Sequence, residues 1–279
     1  MIRTVRDVRW MVGKHLWPLR LNRIRYLGRR ITHRWQLVAR AESPITGVIT
    51  VWDLGRERRM LFGEDPSAVT QSAIFTSGEW SELWREYWGH ALGRPVELPE
   101  RPRVLVLGLG GGTIVRMVYQ RSRPSLVTVV ELDPVVVATA REYMGLGSLP
   151  DLEIRVGDAR DVLAELSSDE PYDLVIEDVF YNGLPERGAS QLETYVDSLA
   201  VVVTQQGWLV LNRWFGDWSG AVVDSGQAAL AAALAERFAW VERRQITQRW
   251  LNELIFATGR RSPDQQHGAL HGQVGTSEQ

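Results

Sequence analysis

The 279-residue sequence predicts an α/β protein: a mostly parallel sheet covered by helices on both faces, preceded by a small β-rich domain. Three observations predict it. Short apolar runs alternate with amphipathic stretches from residue 103 onward, as in a sheet buried on both sides. The stretch "VLVLGLGGGTIVRM" (104–117) runs an apolar strand through a glycine turn directly into a helix. Near the C-terminus "WVERRQI" and "ELIFATG" stand close enough to pair as an antiparallel hairpin that closes the sheet.

The chain begins with a basic arm, taken as residues 1–42. Residues 1–40 carry ten Arg and one Lys against Asp7 alone, a balance of +10 within a net charge of −2. Ile2, Val5, Val8, Val12, Leu16 and Leu19 recur at helical spacing, and Leu21, Ile24, Leu27, Ile31 and Trp35 resume it after Pro18. Two basic amphipathic helices are expected, able to meet anionic lipid or nucleic-acid phosphates. They can equally dock on the acidic remainder of this chain or of a second subunit, or follow from a start codon placed ahead of Met11.

Residues 43–95 form the second unit. "GVITVWDLGRERRMLFG" alternates around Asp53-Leu54-Gly55 and reads as a hairpin. "SGEWSELWREYWGHALG" places Trp80, Leu83, Trp84, Tyr87, Trp88 and Leu92 at helical spacing, with Ser77 or Ser81 as the cap.

Residues 96–259 form the main domain. Strands are predicted at 103–107, 126–131, 153–156, 172–177 and 208–212, and helices at 113–121, 134–144, 159–166 and 190–203. A further helix covers "VVDSGQAALAAALAERF" before the hairpin, and the polar residues 260–279 are expected to be disordered.

Composition narrows the function. No apolar run approaches the roughly 18 residues that span a bilayer, and the basic N-terminus has no apolar stretch of a secretory signal behind it. Cysteine is absent, which removes disulfides and thiolate chemistry and suits a cytoplasmic protein. The five histidines show no metal-ligand spacing, so no metal is expected.

The glycine turn marks the site. Gly108, Gly110 and Gly112 let backbone approach a ligand and aim helix N–H groups at it. The sixth motif position is Thr113, so G-x-G-x-x-G fails and G-x-G-x-G stands. Glu131 ends the second strand, where a carboxylate can accept both hydroxyls of a ribose. Gly157-Asp158-Ala159 ends the third, where Asp158 can accept from an adenine amine. All three lie at the C-terminal ends of successive strands, where open α/β sheets bind ligands. The fourth strand ends "VIEDVFYNGLPE", which puts Asp178 at the reacting end of the ligand, as a base for an amine nucleophile or as the cap of a loop.

Over about residues 43–257 the chain resembles the spermidine synthase family of aminopropyltransferases, which share the seven-stranded Rossmann-like fold of class I AdoMet-dependent methyltransferases. The resemblance rests on "LGLGGGTIVR", "VVELDPVVVATAREY", "VGDARDVL", "YDLVIEDVF" and "LETYVDSLAVVVTQQGWLVLN". It implies ribose and adenine contacts at Glu131, Asp158 and Ala159, a ligand contact at Gln71 and a general base at Asp178. It also implies decarboxylated S-adenosylmethionine or S-adenosylmethionine as co-substrate, a small-molecule amine acceptor, a homo-oligomer and a place in polyamine biosynthesis. Two family aspartates are missing: Gly111 replaces the one that pairs with the donor amine, and Tyr181 the one that grips a diamine acceptor. The family's tyrosine-bearing acceptor segment looks replaced by "LWREYWGHAL", with Glu86 retained. Trp208, Trp214, Trp218, Phe180 and Tyr181 suggest an aromatic acceptor wall, or core and interface packing.

Three functions follow: aminopropyl transfer from decarboxylated AdoMet, methyl transfer from AdoMet on the same scaffold, or a non-catalytic nucleoside-binding module. The carboxylate losses weigh on the first, because ammonium groups removed from water need such partners.

Overall fold

The computed structural model describes residues 34–65, 70–76, 83–147, 149–179, 189–214, 226–246 and 252–262. The arm helices expected before residue 34, and the tail from 263, lie outside the described residues.

The small domain is a four-stranded antiparallel meander: β1 (Gln36–Ser43), β2 (Gly47–Leu54), β3 (Glu57–Phe62) and β4 (Thr70–Phe75). The β2–β3 hairpin forms as expected, with Leu54 opposite Glu57 and a tight Gly55-Arg56 turn. β1 corrects the arm, because residues 36–42 are strand and not the end of a helix. A bulge between Leu37 and Ala39 hides the strand pattern, since it breaks the alternation and lets both Val38 and Ala39 pack on the core.

The single helix expected over 77–93 is also interrupted. Leu83–Arg85 form a 3-10 turn, Glu86 is extended, and α1 (Tyr87–Leu92) starts anew. The break lets Leu83, Tyr87 and Trp88 all reach the core, where each is at least nine-tenths buried.

The main sheet follows the predicted elements closely. In chain order these are β5 (Arg103–Leu107), α2 (Thr113–Arg121), β6 (Leu126–Glu131), α3 (Pro134–Tyr143), β7 (Leu152–Val156), α4 (Ala159–Leu166) and β8 (Tyr172–Glu177). After them come α5 (Ala189–Val201), β9 (Val203–Trp214), α6 (Gln227–Arg237), β10 (Phe238–Ile246) and β11 (Asn252–Arg260). The strand order is β10-β11-β9-β8-β5-β6-β7. The five strands from β9 to β7 run parallel, while β11 is antiparallel to both β9 and β10. The expected polar tail starts late, because β11 carries the chain through Arg260.

Alternate residues of the apolar strands enter two cores. Val104 and Val106 face α1, α2 and α3, and share that core with Ile49, Val51 and Met60 of the small sheet. Leu105 and Leu107 face α4, α5 and α6. This is the two-sided cover that continuous apolar strands require.

Two hydroxyls fasten the small sheet to the glycine turn. β4 is the outer strand of its sheet, and the Thr113 hydroxyl both accepts from Ala73 N (3.0 Å) and donates to Ala73 O (2.9 Å). One strand residue earlier, Ser72 Oγ accepts from Gly111 N at 2.7 Å. Thr113 stands where the dinucleotide fingerprint has glycine, and its hydroxyl satisfies edge-strand backbone groups that are buried from water. Thr113→Val should therefore lower stability by about 2–4 kcal/mol in urea unfolding, because two buried backbone groups lose their partner. Thr113→Ser should retain most of that stability.

Candidate functional site

The cleft opens at the C-terminal edges of β5, β6 and β8, where the strand order switches sides around β5. Its volume is about 570 Å³, in the range of small-ligand sites. Gln71 and Ser72 of β4, Tyr87 and Trp88 of α1, Gly108 and Gly110 of the turn, Glu131, Ala159 and Asp178 all line it. Ile45 and Phe62 of the small domain and Leu132 after β6 supply an apolar wall.

The glycine turn is held from two sides. Gly108 has φ +91°, and a Cβ there would lie 2.4 Å from the Asp178 carbonyl oxygen, so backbone meets backbone. Glu131 holds the other side. Its Oε2 accepts from Leu109 N (2.9 Å) and Gly110 N (3.3 Å), and its Oε1 accepts from Asp133 N (3.1 Å). A carboxylate offers roughly four acceptor sites, so three are used by the chain itself. About one acceptor site of this carboxylate is left for a further donor.

Other expected contacts are placed differently. Gly112 caps α2 and does not line the cleft; a Cβ there would meet the Leu146 side chain at 2.7 Å. The Asp158 carboxylate turns to its own helix, accepting from Arg160 N at 2.9 Å and pairing with the Arg160 guanidinium. Its neighbours Gly157 and Ala159 line the cleft while Asp158 does not. An aspartate before a helix is also a good N-cap, and here that use takes the side chain. Glu86 stands at the N-cap position of α1, nine-tenths buried and outside the lining, and the next residue, Tyr87, reaches the site. Trp208 packs edge-on against Trp240, 5.6 Å between rings, and lines no part of the cleft. Phe180, Tyr181 and Trp218 lie outside the described residues, as does the Trp214 side chain.

Asp178 follows β8 with both carboxylate oxygens engaged. Asn212 Nδ2 donates to Oδ1 at 2.6 Å, and the Tyr87 hydroxyl donates to Oδ2 at 3.1 Å. Asn212 is oriented in turn by Asn252 Nδ2, which donates to its Oδ1 at 2.8 Å. Burial pushes the Asp178 carboxyl up to about 6, against the opposing pull of the Asn212 and Tyr87 hydrogen bonds. Burial and the adjacent carboxylate push the Tyr87 hydroxyl well above its ordinary value, so it serves as a donor.

The far face of the sheet carries a second polar group. Glu177 is ion-paired with Arg213 and accepts from the Tyr195 hydroxyl at 3.0 Å. Both charged side chains are at least nine-tenths buried. Asn212 and Arg213 are neighbours on β9, so one faces the cleft and the other this pair.

Tyr87 and Asn212 were missed in the sequence. Tyr87 belongs to an aromatic stripe at helical spacing, which reads as packing. Asn212 had a usable signal, since it is a polar residue ending an apolar strand at the ligand edge, as Asp178 is.

Residues 93–213 match the family model of the spermine/spermidine synthase domain. That stretch, under half of the chain, is similar to the domain of this family. It is 28% identical over 119 residues to a polyamine aminopropyltransferase of Vibrio vulnificus, covering 42% of this chain and 39% of that protein. It is 31% identical over 91 residues to the mouse eEF1A lysine and N-terminal methyltransferase, covering 32% of this chain and 13% of that protein. The chain thus spans well under half the length of either relative. A probable spermidine synthase from Corynebacterium glutamicum superposes with TM-score 0.60 at 21% identity, over 81% of this chain and 82% of that one, a likeness of fold. The relatives are transferases, and the Rossmann-like class I methyltransferase fold is common ground. Among the described residues no helix is long and apolar enough to cross a membrane.

The Asp178 environment makes a titration test. Asn212→Leu removes a hydrogen bond that favours the charged form, so the Asp178 carboxyl should titrate above the value of about 6. Carbon-13 NMR of labelled aspartate reads the shift directly.

Proposed function

We propose that the chain transfers an alkyl group from an AdoMet-type sulfonium donor to an amine acceptor, with Asp178 as the base. The observation that carries this reading is the half-buried Asp178 at the ligand edge, held by Tyr87 and Asn212 and poised near pH 6. The amine lone pair attacks the carbon attached to sulfur. The C–S bond breaks, its electron pair returns to sulfur as a neutral thioether, and the amine proton passes to the Asp178 carboxylate. Alignment in the cleft and removal of the proton are the protein's contribution, because the sulfonium already activates the carbon.

In this reading Glu131 and the glycine turn hold the nucleoside, Ala159 borders the base, Ile45, Phe62 and Leu132 enclose it, and Gln71 reaches the donor from β4. The match to the spermine/spermidine synthase domain and the Vibrio relative support aminopropyl transfer. The mouse relative supports methyl transfer, as does Gly111, which brings no carboxylate to meet a donor ammonium. The geometry at position 111 favours methyl transfer from the intact donor.

Incubation with AdoMet or decarboxylated AdoMet and a panel of amines, read by mass spectrometry of the alkylated amine, tests the reaction. The rate should rise as pH passes about 6, where Asp178 becomes ionised, and then level off. Asp178→Ala should leave nucleoside binding near wild type and lower turnover by at least about a hundredfold. Glu131→Ala should instead weaken methylthioadenosine binding about tenfold or more in calorimetry. Equal loss of binding in both variants would overturn these roles.

A further inference from the structure

Gly111 does not line the cleft, and the reason is steric. A Cβ at this position would lie 2.6 Å from Ser72 Cβ and 2.9 Å from Met144 Cε. Any side chain here, aspartate included, collides with the small sheet as it is docked. Ser72 takes the place instead: it is buried, lines the cleft and accepts the Gly111 amide at 2.7 Å.

A serine hydroxyl that accepts a hydrogen bond still has one proton to donate. The Gly111 N–H polarises that hydroxyl, and α2 begins two residues further on. The carboxylates lining the cleft are Glu131 and Asp133 at the end of β6, and Asp178 after β8. All stand on other strands than β4. Among the described lining residues there is no Lys or Arg, so the donors they offer to an anionic group are hydroxyl and amide groups.

We propose that Ser72 is a specificity-determining residue: its hydroxyl donates to the α-carboxylate of the donor's amino-acid tail and selects intact AdoMet over the decarboxylated form. This rests on the reading of the cleft as an AdoMet-type donor site. The clamp between the domains then has two uses, since the serine that seals the glycine turn also reads the donor.

Calorimetry with AdoMet, decarboxylated AdoMet and methylthioadenosine, which has no amino-acid tail, tests it on the full chain. Wild type should bind AdoMet about tenfold or more tightly than the decarboxylated donor. Ser72→Ala should lose about tenfold in AdoMet affinity while methylthioadenosine changes less than about twofold. Ser72→Asp keeps an acceptor for the Gly111 amide but adds a charge, and should reverse the preference. Preference of the wild type for the decarboxylated donor, or equal loss of methylthioadenosine in Ser72→Ala, overturns the role of Ser72. Failure of the wild type to bind methylthioadenosine at all overturns instead the donor-site reading beneath it.

Discussion

The docking of β4 on the glycine turn is the constraint from which the site follows. Ser72 and Thr113 supply two hydroxyls that join an edge strand of one sheet to the ligand turn of another. Without that junction the cleft has no roof: Gln71, Ile45 and Phe62 belong to the small sheet, whereas Glu131, Ala159 and Asp178 belong to the large one. The apolar core runs continuously through both, so burial and hydrogen bonding favour the same arrangement. The departure from the dinucleotide fingerprint at 113 and the glycine in place of an aspartate at 111 gain a common explanation. Thr113 is the anchor of the small sheet, and Gly111 is small because Ser72 lies against it.

The surroundings of Asp178, the proposed base, are assembled from more distant parts of the chain. Asp178 follows the fourth parallel strand, Tyr87 comes from the helix before the sheet, and Asn212 ends the fifth strand. Asn252, at the start of the last strand, fixes the Asn212 amide. The antiparallel hairpin that closes the sheet is therefore coupled to the Asp178 end of the cleft. Burial raises this carboxyl and the two donors oppose the rise, which leaves it at about 6.

The parallel sheet was legible because its residues obey one rule at a time. Continuous valine and leucine runs mark β5, β6 and β8, and the amphipathic period marks α2 and α4 at their observed ends. Legibility failed where one residue serves two demands. A bulge let Val38 and Ala39 share a face and concealed β1. Asp158, expected from the sequence to meet a ligand, also precedes α4 and caps it, accepting from Arg160 N. Tyr87 was hidden in a stripe of packing aromatics, although its hydroxyl reaches Asp178 across 91 positions of sequence.

The alternation at the end of β9 has a consequence for how the chain must assemble. Asn212 and Arg213 are adjacent in sequence but belong to opposite sides of the sheet, one beside the cleft carboxylate and the other paired with Glu177. A one-residue slip of this strand inverts every side chain. It would thrust a guanidinium against Asp178, strand Glu177 in an apolar interior, and pair the carboxylate proposed as the base. Correct threading of the fifth strand is thus chemical proofreading as well as packing, since a mis-set ladder would carry its own inhibitor.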